Sequence, residues 1–379
     1  MAGAGAFAGS LLSQKPLPGA PAPAAPVAVA SCRTYGPELT LSLNRMFDQL
    51  GGLGGIVKGK TVAMKVNLTG LASERLGRLP CGLTHWTHPN VIGAVTYLMG
   101  KAGARRIRIL ESPWRTDEPI DEFLLQAGWE PRDILNAAPL VEFENTNYLG
   151  AGKRYIRLAT PHGGHMFRAF DLNHSYQDCD VFVSIAKLKE HLTTGVTLSM
   201  KNCFGITPCT IYGDHAGVNE PGLVPLGGRG FLHTGERQPS KSAPGENHPG
   251  SHGDPGYRVP AIVADLVAAR PIDLAIIDGI RTQTKGETAG VQGAIPVAPG
   301  VLIAGPNCVS TDAVGAAVMG FDPMADRGKT PFEHCDSTLR LAEELGVGSR
   351  DPSRIEVIGA PVAQVRFDFR KPVRAVDPA

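Results

Sequence analysis

The sequence predicts an α/β protein in which a mostly parallel sheet has helices on both faces and carries a long Gly/Pro/His-rich loop insertion. Short apolar runs of strand character alternate with helix-like stretches, which is the pattern of a parallel sheet. The runs Val181–Ile185 and Leu274–Ile277 are almost continuously apolar, as expected for strands that are buried on both faces. The predicted strands are Thr61–Val66, Arg106–Leu110, Asp180–Ala186, Ile272–Ile277, Val301–Ala304 and Arg354–Ile358.

Helix-like stretches separate these strands and carry recognisable start and stop signals. Pro89–Lys101 begins with proline in its first turn and is followed by Gly103, and Thr311–Met319 is closed by Gly320. Such helices provide the crossover connections that parallel strands require. The other predicted helices are Asp121–Ala127, Thr194–Lys201, Arg258–Ala269 and Ser337–Leu345.

Glycine and proline are abundant, with 46 and 31 of the 379 residues, and they are concentrated outside the predicted helices and strands. Because both residues are poorly suited to the interior of regular elements, their abundance predicts long loops and tails. The predicted organisation is a leader-like low-complexity tail at 1–34, a first α/β part at 35–205, a long loop or lid at 206–257, a second α/β part at 258–370 and a tail at 371–379.

The N-terminal segment has one feature of an export signal. Ala28-Val29-Ala30 matches the small-residue pattern that signal peptidase cleaves, but the basic residues that precede such sites are missing. One hypothesis is that an export signal lies upstream of Met1 and that the protein is periplasmic. The alternative is a disordered low-complexity tail on a cytoplasmic protein. Genomic sequence upstream of Met1 would distinguish the two.

The overall charge argues against several classes of partner. The chain has 37 Lys and Arg residues against 36 Asp and Glu residues, so its net charge of +1 gives no general attraction to nucleic acid. No apolar run is long enough for a transmembrane helix. The seven cysteines form no C-x-x-C pair, so we expect no iron–sulphur cluster. Any anion site must therefore be local, and oligomeric state cannot be read from the sequence.

Polar side chains follow five predicted strands at the point where each strand ends. Open parallel sheets bind ligands outside the carboxyl ends of their strands, so we expect these side chains to meet in one crevice. We predict substrate-binding roles for Lys65, Asn67, Glu111 and Lys187. Asp278 and Asp312 are predicted either to bind one divalent metal ion through oxygen ligands, with Glu111 as a further candidate ligand, or to orient the catalytic base. The alternative is that strand ends are polar only because they are exposed.

The densest group of candidate residues lies between 186 and 205. Lys189 and His191 precede the predicted helix Thr194–Lys201, whose N-terminal N–H groups would favour an anion. Lys201 and Asn202 close the same helix. We predict that Lys189, His191 and Lys201 are catalytic and that Asn202 binds substrate. A solvated loop, with Lys201 interacting only with the helix end, is the alternative.

Several motifs of the chain resemble those of the family called domain of unknown function 362. They are Val62–Leu68, Thr87-His88-Pro89, Leu188–Gly205, Ile277–Ile280, Asp312–Gly315 and Met319–Pro323. The resemblance implies an α/β fold and, often, an exported protein. Some members are fused to iron–sulphur ferredoxin modules, but this chain lacks their cluster-binding cysteines. The resemblance implies no particular activity.

Two questions about chemistry stay open at the level of sequence. His215 follows Tyr212 and Asp214 in the long loop and is predicted to bind substrate, whereas His191 with His215 or His233 is an alternative set of metal ligands. Any of the lysines at 65, 187, 189 and 201 would suit proton transfer or imine formation if it were desolvated, and the sequence does not rank them.

The sequence therefore predicts an enzyme that acts on a small anionic substrate, a carboxylate or a phosphate, with an unresolved reaction class. One alternative is a non-catalytic exported protein that binds an anion or a metal or takes part in assembly. A second alternative is a redox-associated protein that uses the iron–sulphur cluster of a partner.

Overall fold

Fourteen strands and twelve α-helices form the part of the chain that the computed structural model describes, residues 21–114, 117–149, 154–250 and 252–374. The strands are β1 (Val27–Ser31), β2 (Thr61–Lys65), β3 (Arg106–Glu111), β4 (Val141–Asn145), β5 (Tyr155–Ala159), β6 (Ala169–Asn173), β7 (Val181–Lys187), β8 (Glu190–His191), β9 (Gly195–Val196), β10 (Leu274–Gly279), β11 (Thr282–Gln283), β12 (Pro296–Val297), β13 (Val301–Gly305) and β14 (Val357–Gly359).

The helices are short for a chain of this length. They are α1 (Pro37–Gln49), α2 (Leu53–Val57), α3 (Pro89–Lys101), α4 (Ile120–Gln126), α5 (Pro131–Leu135), α6 (Leu198–Asn202), α7 (Cys209–Tyr212), α8 (Gly230–Thr234), α9 (Pro255–Ala269), α10 (Cys308–Val318), α11 (Thr338–Glu344) and α12 (Val362–Val365). Within the described ranges, no helix combines the length and the apolar character that crossing a bilayer requires.

Eight strands form one sheet in the order β14-β1-β13-β10-β7-β2-β3-β4. All neighbouring strands are parallel except β13, which runs antiparallel to both β1 and β10. The predicted fold class, a mostly parallel sheet surrounded by helices, is therefore confirmed. Three two-stranded ladders, β5-β6, β8-β9 and β11-β12, lie outside the main sheet.

The two faces of the sheet are covered by different helices, because successive side chains of a strand point to opposite faces. In β2, Val62 and Met64 belong to the apolar core that includes α1 and α3. Ala63 belongs to the core on the other face, which includes α9 and α10. All seven residues of β7 are buried, as expected for a strand in the middle of a sheet with both faces covered.

The prediction that residues 1–34 form a tail is wrong for the part of this segment that the structure describes, which begins at residue 21. β1 pairs with β13 and β14, and Ala28 is fully buried opposite Ala304. Cleavage at Ala28–Ala30 would remove a strand from the main sheet. The sequence rules missed β1 because its alternation is weak and Ala is common in low-complexity segments. Residues 1–20 and 375–379 lie outside the described residues.

The prediction that five strands end at the same edge is also wrong for one of them. Since β13 is antiparallel to β10, its carboxyl end lies at the opposite edge of the sheet from the ends of β7 and β10. Asp312 follows β13 on helix α10 and therefore does not join the group at the predicted edge. The carboxyl ends of β2, β3, β7 and β10 do share that edge, since these strands are parallel to one another.

A candidate anion-binding cavity

The carboxyl ends of β2 and β3 bring Lys65 and Glu111 into a buried ion pair, with Nζ and Oε1 2.6 Å apart. Lys65 also donates to Asn202 Oδ1 at 3.1 Å, and Glu111 accepts from the backbone N–H of Leu68 at 2.9 Å. Burial lowers the pKa of Lys65, and the adjacent Glu111 carboxylate opposes that effect. The sequence prediction that these side chains meet is right, and they neutralise one another.

Lys187 and Asp278 form a second buried ion pair at the ends of β7 and β10, where they are register neighbours. Lys187 Nζ lies 2.8 Å from Asp278 Oδ2, and both side chains are fully buried. The Tyr35 hydroxyl and the His88 backbone N–H also donate to Asp278, each at 3.0 Å. These contacts occupy both charged groups inside the protein. In this arrangement each of the two charges already has partners within the protein.

A cavity of about 480 Å³ opens beside the first ion pair, between the strand ends, helix α6 and the long loop. Four residues of the loop segment 206–257 contribute to its wall, so the loop covers part of this site. The lining residues are Lys65, Asn67, Leu68, Thr69, Gly70, Glu74, Glu111, Ser112, Trp114, His191, Lys201, Asn202, Phe204, Gly205, Asp214, Arg229, Gly230, His233, Glu287 and Thr288.

Four predicted site residues lie outside this lining: Lys187, Lys189, Asp278 and Asp312. His215 also lies outside it and is exposed, so the structure does not support its predicted contact with substrate. The structure does place Lys65, Asn67, Glu111, His191, Lys201 and Asn202 on the cavity wall.

Lys189 is held by the protein itself. Its Nζ donates to the carbonyl oxygens of His85 and Glu287, both at 2.7 Å, and to Asn67 Oδ1 at 3.2 Å. An ammonium has three N–H donors, so these contacts use all of them. Burial lowers the pKa of Lys189 well below its ordinary value. Lys189 therefore links the surrounding loops, and its catalytic role stays a prediction.

The predicted helix Thr194–Lys201 is shorter than expected, and its N-terminus is already occupied. The β8-β9 hairpin takes up residues 190–196, and α6 begins only at Leu198. Asp312 accepts hydrogen bonds from the backbone N–H groups of Ser199 at 2.8 Å and Met200 at 2.9 Å. A carboxylate of the protein thus fills the position where the sequence predicts a bound anion.

Asp312 consequently positions α6. Leu198 has φ of 43°, a left-handed conformation that is unfavourable for a leucine, and the Asp312 bonds to the next two residues hold the chain there. Burial raises the pKa of Asp312 to about 7. The structure does not place Asp278 and Asp312 in a shared metal site, since each is bound by different groups. Across the described ranges, no group of three or more His, Cys, Asp or Glu side chains is arranged to hold a metal ion.

Lys201, one residue before the end of α6, is the cation of this cavity that lacks an acceptor. Its Nζ lies 4.4 Å from the centroid of the Phe204 ring, and within the described part of the chain it makes no hydrogen bond or ion pair. Burial lowers its pKa to about 8, and the positive charges of Arg229 and Lys65 act in the same direction against Glu287. A ligand acceptor would complete its coordination.

His191 and His233 face the cavity as opposite tautomers. The backbone N–H of Thr193 donates to His191 Nδ1 at 3.1 Å, so the proton of a neutral His191 is on Nε2. The carbonyl oxygen of Arg229 can only accept, so His233 Nδ1, 2.8 Å away, carries its proton and Nε2 has a free lone pair. Burial lowers the pKa of both rings, which favours these neutral forms.

Arg229 was not among the predicted site residues. Its Nε donates to the carbonyl oxygen of Thr207 at 2.8 Å, and its Nη2 donates to Thr207 and to Ser112. Its Nη1 makes no hydrogen bond within the described residues, which leaves the two N–H donors of this nitrogen available at the cavity. The glycines on both sides of Arg229, in Gly227-Gly228-Arg229-Gly230, were the available sequence signal, since they allow the backbone to approach closely.

The cavity also carries negative charge. Glu287 accepts from the backbone N–H of Leu192 at 3.2 Å and has a pKa lowered to about 2, because His191, Leu192 and Lys201 together outweigh the opposing effect of burial. Asp214 accepts from the N–H of Phe231 at 2.9 Å. The site is thus a mixed one, in which acidic groups are bound to backbone N–H groups and Lys201 is left to interact with a ligand.

Comparison with known proteins agrees with the sequence motifs. The family described as a domain of unknown function, DUF362, matches residues 62–317, which is more than half of the chain. The chain belongs to the DUF362 family. This range contains β2 to β13, the elements that build the cavity. A thylakoid-associated protein of Synechocystis sp. is 26% identical over 287 residues, which cover 76% of this DUF362 chain and 71% of the relative.

Two solved structures are similar to part of this DUF362 protein. The lactate racemase apoprotein of Thermoanaerobacterium thermosaccharolyticum is 11% identical, with a TM-score of 0.35, over 72% of this chain. A protein of Thermotoga maritima is 17% identical, with a TM-score of 0.29, over 47% of this chain. The chain spans 53% and 40% of the lengths of these two proteins. The likenesses are too distant to support an argument about activity.

Proposed function

We propose that this DUF362 protein is an enzyme that acts on a small anionic substrate, a carboxylate or a phosphate, in the Lys201 cavity. The observation that carries the proposal is that the Lys201 ammonium has no acceptor among the described residues. The neighbouring cations have theirs: Lys65 pairs with Glu111 at 2.6 Å, and Lys189 is bound by three oxygens. A partly buried cation without a counterion favours an anionic ligand.

The two histidines support catalysis over simple binding. His191 offers an N–H donor and His233 offers a lone pair, so a bound substrate can receive a hydrogen bond from one ring and lose a proton to the other. A site that only bound anions would gain from protonated histidines, yet burial lowers the pKa of both rings. Neutral rings of opposite tautomer are suited to moving a proton at neutral pH.

Arg229 and Lys201 would bind the anionic group. Arg229 is held by Thr207 and Ser112, so its free Nη1 is oriented before a ligand arrives. Such preorganised donors are effective because little reorganisation is needed on binding. We assign anion binding to Lys201 and Arg229, donation to His191 and proton acceptance to His233.

Thermal denaturation with a panel of carboxylates and phosphates tests the binding step. At least one anion should stabilise the wild-type protein, and Lys201→Gln should abolish that stabilisation. Lys241→Gln is the matched control, because Lys241 is exposed and lies outside the cavity lining. Equal stabilisation of wild type and Lys201→Gln would refute the assignment.

Hydrogen exchange into the bound substrate tests the proton transfer. The anions that stabilise the protein would be incubated with it in D₂O, and exchange at carbon would be followed by NMR. His233→Gln should remove exchange while the anion still stabilises the variant. If a carboxylate stabilised the wild-type protein but showed no hydrogen exchange at carbon, the non-catalytic alternative would be favoured for that class of ligand.

A further inference from the structure

Among the lysines near the sheet edge, Lys201 alone has the surroundings of a nucleophile. We infer that Lys201 forms an imine with the carbonyl group of a 2-oxo carboxylic acid. This inference rests on the proposed function, because it uses the same cavity and the same anion site. It adds the chemical class of the substrate and a covalent step.

Three of the four lysines near this edge of the sheet are held by acceptors within the protein. Lys65 is bound to Glu111, Lys187 to Asp278, and Lys189 to three oxygen atoms. A nitrogen held by protein oxygens cannot move to a substrate carbonyl carbon, and Lys187 and Lys189 also lie outside the cavity lining. Lys201 has no such acceptor in the described residues, and its Nζ is on the cavity wall.

Imine formation also requires the neutral amine of Lys201, and the surroundings of Nζ favour it. Burial lowers the pKa of Lys201 to about 8, with Arg229 and Lys65 contributing. About half of the molecules then hold the neutral amine at that pH, compared with less than about one in a hundred for an ordinary lysine. The Phe204 ring, 4.4 Å from Nζ, covers one side of the amine without offering a hydrogen-bond acceptor that would hold the proton.

The groups around Lys201 match the two functional groups of a 2-oxo acid. A 2-oxo acid has a carboxylate beside its carbonyl carbon, so one molecule meets both an anion site and a nucleophile. Arg229 Nη1 and the Nε2–H of His191 are the donors available for that carboxylate once Lys201 is used as nucleophile. A cavity of about 480 Å³ accommodates an acid of this size.

The step balances without an oxidant or a reductant. The Lys201 lone pair forms the C–N bond while the carbonyl π bond opens, and the nitrogen proton passes through His233 Nε2 to the oxygen. The resulting carbinolamine loses its hydroxyl group as water with a second nitrogen proton, which leaves a C=N double bond. His233 returns to its starting form. The Nδ1 proton of His233 is bound to the Arg229 carbonyl oxygen, and His233 Nε2 therefore has a free lone pair for this transfer.

Borohydride trapping tests the inference. The full-length protein would be incubated with glyoxylate, pyruvate or 2-oxoglutarate, reduced with sodium borohydride and measured by intact mass and peptide mapping. We expect a single adduct on Lys201, with a mass increase equal to that of the oxo acid less one oxygen atom. The yield should rise with pH through about 8. Lys201→Arg should remove the adduct, whereas the exposed control Lys241→Arg should keep it.

The outcomes separate this inference from the proposed function. Adducts spread over surface lysines, or equal in wild type and Lys201→Arg, would overturn imine formation. Stabilisation by a 2-oxo acid without any adduct would also overturn it, and the proposed anion site would survive. If no acid in the panel stabilised or modified the protein, and no phosphate stabilised it, both the imine and the proposed anion site would be overturned. Circular dichroism of Lys201→Arg verifies that the variant is folded.

Discussion

Replacing Lys187 by methionine separates a structural role from the substrate-binding role that the sequence predicts for this residue. The variant leaves the Asp278 carboxylate fully buried without its 2.8 Å ammonium partner. Removing one member of a buried ion pair costs about 3–5 kcal/mol. Tyr35 and His88 still donate to Asp278, so we expect the lower end of that range, about 3 kcal/mol. Such a loss is a large part of a typical unfolding free energy of roughly 5–15 kcal/mol.

Urea denaturation followed by circular dichroism measures this effect. Lys241→Met is the matched control, and since Lys241 is exposed it should change the unfolding free energy by no more than about 0.5 kcal/mol. The double variant Lys187→Met/Asp278→Asn should regain part of the loss, because the uncompensated charge is gone. Anion-induced stabilisation should persist in the single variant below its lower melting temperature. A Lys187→Met protein as stable as wild type but unable to bind anions would refute the structural assignment.

Three further predictions concern the wall of the cavity. Labelling of Lys201 by an amine-specific reagent, followed by peptide mass spectrometry, should reach half of its maximal rate near pH 8. A midpoint at the higher pH that is typical of exposed lysines would contradict the burial of Lys201. The pKa of Asp312 is raised to about 7 in the folded state, so its contribution to stability is complete below about pH 4 and is lost as the pH rises through 7. The unfolding free energy of Asp312→Asn should therefore fall less between about pH 5 and pH 8 than that of wild type. An equal fall would contradict the raised pKa. Gly195→Ala should destabilise the hairpin that carries His191, because φ is +70° and the new Cβ would lie 2.6 Å from the Pro331 carbonyl oxygen. Gly128→Ala is the control for backbone strain, since Gly128 has φ of +82° and its new Cβ would meet open space. Equal melting temperatures of the two variants would contradict the clash.

The sheet and its ligand edge could be predicted because they depend on patterns along the chain. The apolar run of β7 and the helices between strands are local signals, and parallel strands then place their carboxyl ends at one edge. The direction of β13 has no such signal, since its apolar run reads the same in either direction. The error about Asp312 follows from that single reversal.

The site was harder to predict because charge pairing is a property of the folded molecule. For proton transfer or imine formation the sequence does not rank Lys65, Lys187, Lys189 and Lys201, because all four lie near strand or helix ends. Glu111 and Asp278, far away in sequence, remove the first two by pairing with them. His233 and Arg229 come from the long loop, where no periodicity indicates which residues fold back.

The pairing also shows how a cavity with charges of both signs would favour the anion that we propose. A carboxylate with a backbone N–H donor, such as Glu287 or Asp214, interacts less with a new ligand than an isolated carboxylate does. The same holds for Lys65, whose charge is balanced by Glu111 at 2.6 Å. Among the described residues, the groups that pairing leaves to a ligand include Lys201, Arg229 Nη1, the two neutral histidines and one oxygen of Glu74. In this proposal, the ligand selectivity of the cavity depends less on the number of charged side chains at this edge than on which charged side chain lacks a partner in the folded protein.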